Sequence, residues 1–204
     1  MKISLYDYRI NIRTAGPSQQ DNLRSELYFA GCQKGRENPC PGCFNYELWY
    51  QETGTMVTPQ DIINRLEEFN SVKSITIVGG EPTDQMEGLI DLTYELKKHG
   101  YHIIVITWHE LCDILKEDEH IVNQYKKLFE NIDMLVDGEY NERMRIYDDN
   151  HKNVLRSFIG SSNQLIHDFS EYTSDNHVYH TYQITDDMKE IMINENGGVD
   201  FVRN

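Results

Sequence analysis

The sequence lacks any apolar run that approaches the roughly 20 residues of a bilayer-spanning helix. Its first 13 residues, MKISLYDYRINIR, scatter charges among the apolar side chains and do not resemble a signal peptide. Basic residues are also scarce, because 19 Lys and Arg stand against 34 Asp and Glu, giving a net charge of −15 over 204 residues. Such an acidic surface is unsuited to phosphate backbones and anionic membranes. We therefore expect a cytoplasmic protein with no nucleic-acid or membrane partner.

Cysteine is scarce too, yet three of the four cysteines lie in one short stretch, GCQKGRENPCPGC. In a reducing compartment, few cysteines indicate metal binding or redox chemistry rather than a disulfide framework. Cys40 and Cys43 form a C-x-x-C pair, and Cys32 precedes them across a seven-residue insert. The fourth cysteine, Cys112, lies in the apolar helical stretch HELCDIL, so we expect it to be a small buried hydrophobic residue.

Strand and helix patterns alternate from about residue 26 to residue 138. Apolar runs such as VKSITIVGG and YHIIVITW are separated by amphipathic helices, and Thr58 followed by proline marks one helix start. This order predicts βαβ units and a mainly parallel sheet, either open or curled into a partial barrel. We divide the chain into a core domain, residues 1–168, and a C-terminal extension, residues 169–204. The extension contains a predicted hairpin turned by Asn196-Gly197-Gly198.

Residues suited to chemistry follow three of the predicted strands. Cys32 follows the first strand, Gly79-Gly80-Glu81 follows the second, and Thr107 ends the third. The carboxyl ends of parallel strands meet at one edge of a sheet, which is where α/β proteins place their sites. We therefore expect these residues to share one site.

Three kinds of chemistry could use the cysteines. A structural zinc ion needs four ligands and usually two tight pairs, whereas this chain has a single pair. A thioredoxin-like redox pair needs no third cysteine on the same loop. A cubane iron–sulfur cluster takes one thiolate per iron, so three thiolates leave one iron open to a substrate. The pattern favours a catalytic cluster, with zinc and the redox pair as alternatives.

Four segments resemble the radical S-adenosylmethionine enzymes, and most closely the activating proteins of anaerobic ribonucleotide reductases. They are GC…CPGCFN…W, TIVGGEPTDQ, NIDMLVDGEYNE and IGSSNQLI. The resemblance covers roughly residues 10–167, and AGP at 15–17 with Arg24 is similar to a segment that precedes the cysteines in glycyl-radical activating enzymes. It implies an α/β fold, a partial (β/α) barrel of the radical S-adenosylmethionine type with a short C-terminal extension.

The resemblance also implies the cofactors and their residues. One [4Fe-4S] cluster would be held by Cys32, Cys40 and Cys43, and its open iron would bind the amino and carboxylate groups of S-adenosylmethionine. The resemblance implies that Gly79, Gly80, Glu81 and Pro82 hold the methionine amino group. It implies that Gly42 and Phe44 lie beside the adenine, and that Thr107 faces the ribose or the carboxylate. Glycine suits such a place, because without Cβ the backbone can approach a ligand closely.

The implied reaction is the reductive cleavage of S-adenosylmethionine to methionine and a 5′-deoxyadenosyl radical, which takes a hydrogen atom from a backbone glycine of a partner protein. The implied partner is the catalytic subunit of an anaerobic ribonucleotide reductase, and the electron would come from an external one-electron reductant. Alternatives are an activase of another glycyl-radical enzyme, and a radical enzyme acting on a small molecule such as a deazapurine precursor. A non-catalytic iron–sulfur or zinc protein is a further alternative.

The chain departs from the family pattern at three places, one of which is Gly42 inside the C-x-x-C pair, where the superfamily often has an aromatic residue and the activase branch commonly has glycine. The family usually has three residues between the first two cysteines, whereas the insert QKGRENP has seven. Because Gly35, Asn38 and Pro39 are turn formers, we expect this insert to bulge outward. The family also has an arginine just before GSSNQ, where this chain has Ile159, and Arg156 is a candidate to replace it.

Overall fold

The computed structural model describes residues 1–13, 23–145 and 159–184, together with the backbone of two later strands. The strands are β1 Ile3–Arg13, β2 Leu23–Phe29, β3 Thr55–Val57, β4 Ser74–Gly79, β5 His102–Ile106, β6 Met134–Asp137, β7 Leu165–Asp168, β8 His180–Ile184, β9 Glu190–Ile193 and β10 Val199–Arg203. The α-helices are α1 Gln33–Glu37, α2 Pro59–Glu68, α3 Met86–Lys98, α4 Leu111–Ile114 and α5 Glu119–Phe129.

In the described part of the chain, ten strands form one mixed sheet in the order β10-β9-β8-β7-β6-β5-β4-β2-β1-β3. Its centre is parallel, because β2, β4, β5 and β6 pair in the same direction. The flanking strands pair antiparallel, β1 with β2 and β3 on one side and β6 through β10 on the other. The α/β class and the parallel centre are therefore confirmed, and the sheet is open.

The two faces of the central sheet differ in what covers them. Odd-numbered side chains, among them Leu27, Ile77 and Val105, join the apolar faces of α2, α3 and α5 in the main hydrophobic core. Even-numbered side chains point to the opposite face, which carries a smaller apolar cluster containing Ile104 and Val136. The helix-covered face supplies most of the buried apolar surface, and the opposite face is available for a site.

Several local predictions are confirmed. The Thr58 side chain accepts the Asp61 N–H while the Asp61 carboxylate accepts the Thr58 N–H, so a capping box starts α2. α3 ends before Gly100, whose φ of +77° is a conformation that favours glycine. β9 and β10 pair as the two arms of a hairpin. Its predicted turn, Asn196-Gly197-Gly198, lies outside the described residues.

The strands after residue 168 continue the core sheet, since β8 pairs with β7 and β9 pairs with β8. The division of the chain at residue 168 stays a prediction. In the described residues no helix is long and apolar enough to span a membrane.

Candidate functional site

A cavity of about 320 Å³ opens at the C-terminal ends of the parallel strands, on the face opposite α2 and α3. Most of the residues predicted from sequence line it. They are Cys32, Cys40, Cys43, Phe44, Gly79, Gly80, Glu81 and Thr107. Gly42 and Pro82 are immediate chain neighbours of these lining residues. The strand ends thus bring together residues that are up to 75 positions apart in sequence.

Cys32 stands between β2 and the first turn of α1. Its backbone N–H donates to Trp49 O at 3.0 Å. Its Sγ accepts the N–H of Gly35 at 3.2 Å, so Cys32 is the N-cap of α1. Burial raises the pKa of the Cys32 thiol to about 12, against the opposing effect of the Gly35 N–H. A metal bound here must therefore displace a proton from a thiol that strongly retains it.

Cys40 and Cys43 are held close by a tight turn, in which the Cys43 N–H donates to Cys40 O at 3.0 Å. Gly42 sits in this turn at φ +77°, and a Cβ there would lie 2.5 Å from the Glu142 Cβ. Burial, followed by the charge of Glu139, raises the pKa of the Cys40 thiol. Glycine is therefore required at position 42 by the approach of the segment around Glu142.

Cys112 is not part of the site, and the prediction that it is buried is wrong. It is exposed on α4, with its Sγ 3.7 Å from a carboxylate oxygen of Glu110. In this one-turn helix Leu111 and Ile114 point into the core, and Cys112 lies about 100° around the axis from Leu111. With Cys112 outside the cavity, the cysteine donors number three. This set fits the three-thiolate cubane better than a closed four-cysteine zinc site.

The glycine pair at the end of β4 is required by the chain's own backbone. A Cβ on Gly79, at φ +124°, would lie 2.4 Å from Phe29 O. A Cβ on Gly80 would lie 2.2 Å from Gly31 O. In return the Gly80 N–H donates to Phe29 O at 2.8 Å and the Glu81 N–H donates to Gly31 O at 2.7 Å. These bonds join the end of β4 to the residues that lead into Cys32.

Glu81 is fully buried and its carboxylate accepts four hydrogen bonds. Thr83 donates both its N–H, at 2.9 Å, and its hydroxyl, at 2.7 Å. The Thr107 hydroxyl donates at 2.9 Å and the Trp108 N–H at 3.0 Å. Burial raises the pKa of Glu81 to about 7, with these donors acting in the opposite direction. The carboxylate thus connects the ends of β4 and β5. Because the Thr107 hydroxyl donates its hydrogen to Glu81, it can only accept a hydrogen bond from a ligand.

The GSSNQ segment holds the chain that follows β6. Buried Gln164 accepts the N–H of Gly160 at 2.7 Å and donates to Gly138 O at 2.8 Å. Ser161 Oγ accepts the Asn141 N–H at 3.1 Å. We name residues 138–145 the cover segment, because the Glu142 N–H donates to Pro41 O at 3.0 Å, beside the C-x-x-C turn.

Sequence reasoning missed Tyr140, which the cover segment places at the cavity wall. Its ring meets Phe44 edge to face, with centroids 5.4 Å apart. Trp49, the tryptophan of the first resemblance segment, was given no role in the site, but it lines the cavity and its indole N–H is buried without a hydrogen-bond partner in the described structure. Both lie in or near segments that carried the resemblance, which was the available signal. An unpartnered donor in the cavity wall is suited to a bound group with acceptor atoms.

The deeper wall of the cavity is formed by even-numbered residues of the parallel strands, which the sequence patterns did not single out. Glu26, Tyr28, Thr76, Val78 and Ile106 lie here. The Tyr28 hydroxyl donates to a Glu26 carboxylate oxygen at 2.5 Å. Burial, then that hydrogen bond, raises the pKa of Tyr28. The cavity therefore extends from the cysteines along the face of the sheet opposite α2 and α3.

The expectation that the insert bulges outward is only partly confirmed, because five of its seven residues are exposed but the insert also packs on the site through α1. Gln33 to Glu37 form α1, in which Gly35 is buried. A Cβ on Gly35 would lie 2.3 Å from Trp49 Cδ1, so the helix packs directly on the indole. Ile159, at the family's arginine position, lines the cavity. Arg156 and the AGP segment lie outside the described residues, and Arg24 is fully buried in β2.

Comparison with known proteins agrees with this arrangement. The family model of the 4Fe-4S single cluster domain matches residues 19–167, which include all three clustered cysteines. The chain therefore belongs to the 4Fe-4S single cluster domain family.

Within that class, the chain is similar to the anaerobic ribonucleoside-triphosphate reductase-activating protein of Escherichia coli strain K12. The two are 26% identical over 152 residues, which cover 71% of this chain and 87% of the relative. The protein of the same name from Escherichia coli O157:H7 matches with the same values. The resemblance drawn from the sequence segments is thereby confirmed.

Proposed function

We propose that this protein is an activating enzyme that reductively cleaves S-adenosylmethionine at a [4Fe-4S] cluster and generates a glycyl radical on an anaerobic ribonucleoside-triphosphate reductase. One observation carries the proposal: Cys32, Cys40 and Cys43 converge on a single cavity at the ends of the parallel strands. Membership of an iron–sulfur family and similarity to reductase-activating proteins support the same function.

Cys32, Cys40 and Cys43 would hold the cluster, and a three-thiolate set would leave one iron free for the amino and carboxylate groups of S-adenosylmethionine. When bound and reduced, the cluster supplies the single electron that breaks the C5′–S bond of the sulfonium. The electron enters from an external one-electron reductant. The raised pKa values of Cys32 and Cys40 mean that cluster assembly releases protons from these thiols.

The backbone of Gly79 and Gly80 would hold the methionine amino group of S-adenosylmethionine. Glu81 positions this backbone, because its carboxylate is occupied by donors from Thr83, Thr107 and Trp108. Pro82 starts the 3-10 turn that follows and limits the freedom of the Glu81 backbone. The Thr107 oxygen, which already accepts the His109 N–H at 3.2 Å, offers a remaining lone pair to the ribose.

The adenine lies against the aromatic wall. Phe44 and Tyr140 form an edge-to-face pair beside the cysteines, which supports this position. Gly42 keeps the C-x-x-C turn close to the cover segment, so that the wall stays narrow. In this proposal the open sheet around the cavity corresponds to a partial (β/α) barrel of the radical S-adenosylmethionine type. Residues 1–168 form the core domain and residues 169–204 form the extension.

The substrate is a protein, and its glycine-bearing segment closes the cavity. A radical must be shielded from solvent, and a docked partner excludes water from the mouth. Because the chain carries a net charge of −15, the docking surface of the partner should be basic. Association should accordingly weaken as salt is added.

The test uses anaerobically reconstituted, reduced protein mixed with S-adenosylmethionine and the cognate anaerobic reductase. A doublet electron paramagnetic resonance signal should appear on the reductase, in step with 5′-deoxyadenosine. The matched control carries Cys43→Ala and should produce neither. A glycyl radical that forms only on a different glycyl-radical enzyme, or consumption of a small molecule with no radical on the reductase, would contradict the proposal and favour the corresponding alternative.

A further inference from the structure

The insert between Cys32 and Cys40 is attached to the site at several points. The Gln33 N–H donates to an Asp84 carboxylate oxygen at 2.7 Å, beyond the end of β4. The Gly35 N–H reaches Cys32 Sγ, and its Cα packs on Trp49. An insert that only lengthened the loop would need none of these contacts, so α1 has a role in the architecture of the site.

Lys34 makes the contact that crosses the cavity rim. Its ammonium lies 4.7 Å from the centroid of the Trp108 ring, which follows β5. It also forms an ion pair with Glu139, which follows β6. The side chains of Lys34 and Glu139 are 10% and 42% exposed, whereas those of Lys116 and its partner Asp113 on α4 are 71% and 66% exposed. Because the lysine end of the Lys34 pair is sheltered, solvent screens this pair less than the exposed pair.

Glu139 directly precedes Tyr140, and the chain at this point is held on two further sides. Asn163 donates to Glu139 O at 2.8 Å, and the Glu142 N–H donates to Pro41 O. The side chain of Glu139 is thus the element of the cover segment that reaches the Cys32 loop. Any displacement of Glu139 is passed to the Tyr140 ring through one peptide unit.

We propose that Lys34 is a positioning residue of the cofactor site: held between Trp108 and Glu139, it fixes the cover segment and thereby the Tyr140–Phe44 wall against the cysteine loop. This inference rests on the proposed function, since the site is the cluster and S-adenosylmethionine site described above. It assigns a purpose to the seven-residue spacing, because a three-residue spacer has no room for the helical turn that carries Lys34.

The test compares variants of the reconstituted protein without any reductase. Lys34→Met keeps the apolar stem and removes the charge, Lys34→Arg restores the charge, and Glu139→Gln removes the partner. Lys116→Met is the matched control, since it removes the same charge from an exposed pair. The measurements are iron content, the dissociation constant for S-adenosylmethionine, and the electron paramagnetic resonance spectrum of the reduced cluster with and without it.

Lys34→Met should retain its iron and bind S-adenosylmethionine about fivefold more weakly, the loss expected for one partly sheltered ion pair. Its spectrum with S-adenosylmethionine should differ from that of the wild type. Glu139→Gln should behave like Lys34→Met, Lys34→Arg should return to within about twofold of the wild type, and Lys116→Met should match the wild type.

Unchanged binding and spectra in Lys34→Met and Glu139→Gln would overturn the inference while leaving the proposed function intact. A wild-type protein that assembles no cluster would instead refute the proposed function, and the inference with it. If Lys34→Met does not fold, Glu139→Gln decides alone, because it breaks the same pair from the cover segment. Equally weakened binding of S-adenosylmethionine in Lys116→Met would also overturn the inference, because the effect would then come from the net charge of the protein and not from the position of Lys34.

Discussion

The two ends of the parallel strands differ in how their buried polar groups are hydrogen-bonded. At the N-terminal end, the Arg24 guanidinium donates to Thr76 Oγ1 at 2.9 Å and to the backbone oxygen of Ile75. Asp133 there accepts from Lys97 at 2.6 Å and from the Ile103 N–H at 2.8 Å. Both charged groups are hydrogen-bonded, Arg24 to the neighbouring strand β4 and Asp133 to α3 and β5, so this end contributes to the stability of the fold.

At the C-terminal end the polar groups are buried without full compensation. The pKa values of Cys32 and Glu81 are raised by burial, and Trp49 keeps an unpartnered indole N–H. Gly79 adopts a φ of +124° that other residues rarely reach. The comparison shows that the N-terminal end pairs its buried charges, Arg24 and Asp133, within the fold, whereas the C-terminal end leaves an indole donor, thiols and tightly approached backbone for a ligand.

Gly80→Ala, at the C-terminal end of the strands, should destabilise the protein more than the other substitutions considered below. Its Cβ would lie 2.2 Å from Gly31 O and 2.7 Å from Leu48 O, and neither backbone atom can move without displacing the approach to Cys32. We expect a loss of about 3 kcal/mol or more in the free energy of unfolding, together with loss of iron binding. Denaturant unfolding and iron analysis measure the two effects.

Gly100→Ala is the control for that change. Gly100 also has a positive φ, +77°, but a Cβ there would meet no atom within 4 Å. It should cost only about 1 kcal/mol and leave iron binding intact. Similar losses of unfolding free energy in both variants would contradict this account. They would show that glycine is needed at position 80 for its backbone conformation and not for the close approach of β4 to Gly31.

Arg24→Met should break the N-terminal end and leave the cysteines in place, although Thr76, the partner of Arg24, lies in the deeper wall of the cavity. The substitution keeps an apolar stem but leaves Thr76 Oγ1 and the Ile75 carbonyl without their buried donor. We expect a loss of about 2–3 kcal/mol in the free energy of unfolding. The folded fraction should still assemble the cluster, because the three cysteines lie at the opposite end of the strands. Loss of the cluster in a well-folded variant would contradict the division of roles between the two ends.

His109→Gln should change how stability depends on pH. The His109 ring stacks on Trp108, with centroids 3.7 Å apart. Burial, followed by the charge of Lys34, lowers the pKa of His109 to about 4. As the pH falls below about 6.5, the unfolded chain takes up a proton before the folded chain does, so wild-type stability decreases.

The variant lacks this dependence. The advantage of the wild type in free energy of unfolding should therefore shrink by about 2 kcal/mol between pH 7 and pH 5, as measured by urea unfolding. His120→Gln, on the exposed surface of α5, serves as the control and should leave the pH dependence of stability unchanged. A constant difference between wild type and His109→Gln across this range would show that His109 titrates normally in the folded protein.

Local signals allowed much of the fold to be predicted. The capping box at Thr58 and the apolar spacing of α2 act within one helix, so the sequence alone specifies them. The positions of the cysteines and of Gly79 and Gly80 after strands were enough to place them at one edge. The reason for the glycines was only partly predicted, because their approach to Phe29 and Gly31 depends on the pairing of β2 with β4.

The features that were missed depend on long-range contacts. α1 contains turn formers, and its helical turn is fixed by Trp49 and Glu139, which come from elsewhere in the chain. Cys112 has apolar neighbours, but burial of Leu111 and Ile114 turns it to solvent. Tyr140 carries no pattern of its own, and the GSSNQ segment positions it through hydrogen bonds to the cover segment.

The most direct test of the central claim is the iron content and electron paramagnetic resonance spectrum of anaerobically reconstituted protein in which each cysteine is replaced in turn. The wild type should bind about four irons. Cys32→Ala, Cys40→Ala and Cys43→Ala should each lose the intact cubane, and Cys112→Ala should retain it, because Cys112 is exposed and outside the cavity. An intact cluster in any of the first three variants, or its loss in Cys112→Ala alone, would contradict the assignment of the site.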